Sequence, residues 1–125
     1  MKLNIFKIGN IWVFKEYFEK SIFKDLSDFY NGKRYRFEVK TKTHLEEIKK
    51  KLSKSGYNVD VINNPSDYCV VKDRYSKRKD ILKKSVYNET KKDKVFFIMK
   101  DMAAVEEAVS LGAKRLEETN FEKFF

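Results

Sequence analysis

The chain has 125 residues, with 28 Lys and Arg against 19 Asp and Glu for a net charge of +9, and it is 42% hydrophobic and 15% aromatic. This is enough apolar material for one core, so the composition excludes a disordered chain and the expectation is a single α+β domain over 1–125. The one cysteine, Cys69, excludes an internal disulfide and a cysteine-built metal cluster, and no apolar run is long enough to span a membrane.

A lone cysteine suits a reducing cytoplasm, and Asn4, Lys7, Gly9 and Asn10 interrupt the N-terminal stretch too early for a signal peptide. Abundant Lys and Glu with no Gln resemble thermophile composition, although eight Asn residues weigh against it.

In chain order, Leu3 to Ile8 predicts a strand closed by Gly9-Asn10. Phe14, Phe18, Ile22, Leu26 and Phe29 recur at helical spacing and predict a helix over 11–30, stopped by Asn31-Gly32. Residues 33–40 alternate, which sends Tyr35, Phe37 and Val39 to the core and Arg34, Arg36 and Lys40 to the other face. Thr43 and Glu46 have capping-box spacing, and Leu45, Ile48 and Leu52 continue a helix as far as Gly56.

Tyr57, Val59 and Val61 predict a strand, Asn63-Asn64-Pro65-Ser66 a turn, and Tyr68 to Val71 a second strand, together a hairpin. Ser76 is placed to cap a helix over 76–87. Val95 to Met99 reads as a strand buried on both faces, and Asp101 as the cap of a helix ending near Gly112. The tail, with Leu116, Phe121, Phe124 and Phe125, reads as a docked helix, and no internal repeat is visible.

The order over 33–99 is therefore strand, helix, strand, strand, helix, strand, the split βαβ order of ferredoxin-like domains. An N-terminal strand and helix and C-terminal helices are additions to that core. The RNA-recognition-motif signature is absent, because 67–72 on the third strand carry one ring and no glycine.

Residues 72–94 hold ten Lys or Arg against four acids. Arg74, Lys77, Arg78 and Lys79 at a helix start, with Tyr75 among them, suit phosphates and unpaired bases. Arg34, Arg36 and Lys40 would add further phosphate contacts. The functional expectation is a non-catalytic nucleic-acid binder that takes single-stranded DNA or RNA, or structured RNA, in preference to base-specific reading of a duplex. The rival is an assembly module that forms a homo-oligomer through 11–30 and 116–125, where aromatic area would otherwise be exposed.

Glu38-Val39-Lys40 matches a fragment of metal-dependent nucleases but lacks a second acid on a neighbouring strand. His44 stands one residue past the expected cap, and the four glycines are scattered, so no motif implies a metal, a cofactor or a phosphate-cradling loop.

Overall fold

A computed structural model describes residues 1–119. The chain divides into two compact units, Met1–Asn63 and Asn64–Phe125, and the described residues form mixed α+β structure with one sheet in each.

In the first unit β1 (Lys2–Ile8) and β2 (Ile11–Phe14) form a hairpin, closed by Gly9 at φ +60. α1 (Lys20–Leu26), β3 (Tyr30–Asn31), β4 (Arg36–Val39), α2 (Lys42–Lys54) and β5 (Asn58–Ile62) follow. The sheet order is β3-β4-β2-β1-β5, with β5 parallel to β1 and the other pairs antiparallel.

The helix predicted over 11–30 is thus a strand followed by a helix of 7 residues. The tight Gly9-Asn10 turn folds the β-branched and aromatic run Ile11-Trp12-Val13-Phe14 back onto β1, pairing Ile8 with Ile11 and Phe6 with Val13. The helical spacing of Phe14, Phe18, Ile22 and Leu26 still leads all four into one core, reached from a strand, a loop and a helix. There Phe14 and Phe37 stack at 4.9 Å, and Phe18 meets Phe37 and Tyr57 edge-on, each at 5.4 Å. Trp12 and Phe23 also meet this core, Phe23 while 37% exposed, whereas Tyr17 remains 87% exposed.

α2 lays Leu45, Ile48 and Leu52 on the same core. Its cap is Thr41 and not the predicted Thr43: the Thr41 side chain accepts from the His44 backbone N–H at 3.2 Å. Thr41 is the last extended residue after β4, so it is the one whose hydroxyl can turn back to the first turn.

In the second unit β6 (Cys69–Asp73), α3 (Lys79–Lys83), β7 (Ser85–Lys91), β8 (Lys94–Met99), α4 (Met102–Ser110) and β9 (Lys114–Arg115) form a sheet of order β7-β8-β6-β9. All its neighbouring pairs are antiparallel. Val70, Val95, Phe97 and Met99 face Ile81 of α3 and Ala104, Val105 and Ala108 of α4, while Cys69, Val71 and Phe96 pack with Leu116 on the other face. The prediction that Val95 to Met99 is buried on both faces holds.

The arrangement predicted across 33–99 does not form. β5 is taken up by β1, and β6 by β8 and β9, so the expected 57–71 hairpin has no ladder. The same sequence of elements instead runs through 69–115, with its first and third strands, β6 and β8, central. The helix predicted over 76–87 shrinks to 5 residues because Ser85 onward extends into β7. Of the predicted tail helix, only Leu116–Glu118 is described, as a turn of 3-10 helix, and Phe121, Phe124 and Phe125 lie outside the described residues.

One local construction occurs twice, although the sequence suggested no repeat. Val39-Lys40-Thr41 and Met99-Lys100-Asp101 each end a strand and cap a helix. Each helix continues with Leu45-Glu46-Glu47-Ile48 or Val105-Glu106-Glu107-Ala108. Each ends on a left-handed glycine, Gly56 at φ +91 or Gly112 at φ +99, after which Tyr57 or Ala113 donates back to Leu52 or Ala108 at 3.0 Å. α2 has 13 residues and α4 has 9, one helical turn fewer.

Candidate nucleic-acid interface

Apart from Lys83 and Lys84, which end α3 beside Met99 and Lys100, the cations of 72–94 lie toward one end of the second sheet. β6 runs out at Asp73, a loop over 74–78 leads to α3, and the β7–β8 turn at Lys92 (φ 58) lies alongside. The two segments are joined by the Arg74 backbone N–H, which donates to the Asp93 carbonyl at 2.8 Å. Lys114 enters from β9, paired with Val71.

About half of these cations are already engaged. Lys94 is bonded to Asp73, Lys84 to Glu107 and Lys83 to Asp80, and Lys72 Nζ donates to the Leu111 carbonyl at 2.5 Å. Arg78 donates to the carbonyls of Arg74 and Ser76, so its guanidinium is engaged with the loop's own backbone while the residue stays partly exposed. Ser76 adds a hydroxyl bond to the Asp73 carbonyl at 2.7 Å. Among the described residues no carboxylate engages Lys77, Lys79 or Lys92, and all three are exposed.

Tyr75 is 88% exposed at the loop's outer edge, with the Arg74 guanidinium 5.9 Å from its ring centroid. The Asp73 carboxylate at the start of this loop is ion-paired with Lys94. The hydrogen bond from Lys94, then its charge and those of Lys114 and Lys72, hold the Asp73 carboxyl below its ordinary range. The same bond pushes the Lys94 ammonium up.

In the first unit the predicted cations separate. Arg34 is exposed in the Gly32–Tyr35 turn between β3 and β4, and Lys40 is exposed beyond the end of β4. Arg36, predicted to reach phosphate, is only 5% exposed. Its guanidinium is clamped on Glu38, with Nε to Oε2 at 2.8 Å and Nη2 to Oε2 at 2.7 Å. Alternate residues of a strand share a face, so this pair was readable from the sequence. Tyr35, predicted to be core, is 67% exposed because the alternation begins only at Arg36, after the turn.

Three exposed residues stand outside the contacts expected from the sequence: Lys33 and Tyr35 in the β3–β4 turn, and Lys114 on β9. Asn31-Gly32, read as a helix stop, in fact opens a hairpin turn. Lys79 begins α3, but a helix of 5 residues has too little dipole to help it hold phosphate.

The nuclease fragment is also occupied. Burial alone would raise the Glu38 pKa, but hydrogen bonds from Arg36 and Asn31 and the charges of Arg36 and Arg34 bring it below the ordinary value. No group of three His, Cys, Asp or Glu able to hold a metal occurs among the described residues. The only histidine, His44, sits with its ring 5.4 Å from that of Phe29.

Burial pushes the Cys69 thiol up to about 12, which leaves no thiolate near neutrality. An open hollow of about 450 Å³ at the other end of β6 is lined by Ser66, Asp67, Cys69, Met102 and Arg115, and it reaches Thr119. No described helix is long and apolar enough to cross a membrane. No protein-family model, curated protein or solved structure matches this chain.

Proposed function

We propose that the protein binds single-stranded nucleic acid without catalysis, through the basic end of the second unit. The observation that carries this is Tyr75, a ring set almost wholly in solvent between Arg74 and the unengaged Lys77 and Lys79. Leaving a phenol ring exposed gains nothing from burial, whereas a neighbouring base can stack on it for about 1–3 kcal/mol while the lysines meet flanking phosphates. Single strands are favoured over duplex because stacking needs an unpaired base. The helix this loop leads into, α3, is also too short at 5 residues to read a major groove from.

The reading of the second unit as a ferredoxin-like module rests on its order of elements and its β7-β8-β6-β9 sheet. In that module the helices cover one face, and the loop after the first strand, here 74–78, stands free at a sheet end.

The test is fluorescence anisotropy of labelled oligothymidylate and oligouridylate, with a hairpin duplex as control, at two salt concentrations. Affinity is expected to fall steeply as salt rises. Tyr75→Ala should weaken strand binding about tenfold. Lys77→Glu with Lys92→Glu should remove most of it, while the melting temperature stays put. Equal binding by these variants and the unaltered protein would refute the proposal.

A further inference from the structure

The first unit carries a second exposed Arg-Tyr step. Arg34-Tyr35 occupies the β3–β4 turn, as Arg74-Tyr75 occupies the loop after β6. Tyr35 is 67% exposed in this turn, whereas Phe14 and Phe37 are wholly buried and Phe18, Phe29 and Tyr30 pack beside them; Tyr17, 87% exposed, lies before α1 with no arginine next to it in sequence.

We propose that this turn, Lys33-Arg34-Tyr35, is a second contact for single-stranded nucleic acid. Tyr35 would stack on a base, and Lys33 and Arg34 would meet phosphates. The inference rests on the function proposed above and adds a site to it.

Tyr35 holds φ +54, a left-handed conformation that side chains disfavour and that glycine adopts freely. Its ring is 67% exposed, so burial does not compensate. A strained residue whose side chain faces solvent points to a role outside packing. The turn is also held firmly. Asn31 Oδ1 accepts from the backbone N–H groups of Lys33 at 3.0 Å and Arg34 at 3.2 Å, and Asn31 Nδ2 donates to Glu38 at 3.2 Å. A turn ordered before it meets its ligand loses little entropy on binding.

The charge agrees. Glu38 is the acid nearest the turn along β4, and the Arg36 guanidinium neutralises it at 2.7 Å. Arg34 adds its charge to the cations that hold the Glu38 carboxyl down, and neither it nor Lys33 forms an ion pair with a carboxylate among the described residues, so the tip carries their field. A protein partner would more often meet a buried apolar anchor ringed by polar groups, and this tip has one ring and two cations on a narrow turn.

The full chain and its Tyr35→Gly, Tyr35→Phe, Arg34→Gln and Tyr75→Ala variants should be titrated against labelled oligothymidylate and oligouridylate, with melting temperatures measured alongside. Tyr35→Gly is expected to weaken binding about tenfold while its melting temperature holds or rises, and Tyr35→Phe to bind as the unaltered protein does. Arg34→Gln should lower the slope of log affinity against log salt by about one. If Tyr75→Ala weakens binding but none of the turn variants does, the second site is refuted and the first stands. No binding by the unaltered protein refutes both.

Discussion

The two units build the same strand, cap, helix and glycine from different materials. The first packs α2 against a sheet through large side chains, with Ile48 among the rings of Phe14, Phe18 and Phe37. The second brings α4 close to its sheet with Ala104, Val105 and Ala108. The equivalent positions are Ile48 and Ala108, so the same cap and glycine accompany core side chains of different volume.

The sharpest break in the comparison is expected from Phe37→Ala. The Phe37 ring meets those of Phe14, Phe18, Phe23 and Tyr30, and truncation should cost about 3–5 kcal/mol. Trp12, packed on that core, reports the loss by fluorescence during denaturation.

Next come the volume exchanges. Ile48→Ala should cost about 2–5 kcal/mol by leaving a cavity. Ala108→Ile should cost about 1–3 kcal/mol by overpacking. The second change is read by Cys69, whose buried thiol should resist a disulfide reagent at pH 8 until the second unit opens. Equal, negligible costs would mean that the two helices are not packed differently.

The caps sharpen the likeness. Thr41→Ala and Asp101→Ala should each cost about 1 kcal/mol in thermal or urea unfolding. Asp101 should cost the more, since its carboxylate accepts from Ala104 at 2.7 Å against 3.2 Å for Thr41.

The smallest effect is pH dependence from Glu38. Its folded pKa lies below the ordinary 4.5, so its contribution is present above that value and is lost as pH falls through the lower folded pKa. Glu38→Gln should flatten the stability profile in that acidic window and leave its shape near neutrality unchanged.

Much of each unit was legible where structure is local. Gly56 and Gly112 as helix ends, Asp101 as a cap and Phe37 and Val39 as core positions follow from backbone preference and period. What failed was long-range. β1 sits beside β5 through a parallel pairing of distant segments that no local pattern announces, and this dissolved the expected hairpin over 57–71. The 11–30 segment misled because strand, loop and helix residues at helical spacing served one core.

Of the cations and ring expected at the candidate site, Arg74, Tyr75, Lys77 and Lys79 are exposed, whereas Arg36 is buried and Arg78 is partly engaged within its own loop. Both guanidiniums have partners within the fold, Arg36 with Glu38 and Arg78 with backbone carbonyls of its loop. The second of these depends on a loop shape that composition does not encode. Tyr35 was misplaced by one turn's worth of parity.

The most direct test of the basic end is amide chemical-shift mapping of the isotope-labelled full chain titrated with oligothymidylate. The largest shifts are predicted at Arg74, Tyr75, Ser76 and Lys77 and at Lys92 in the neighbouring turn, fading as salt is added. A saturated titration that leaves those five amides unmoved would contradict the account.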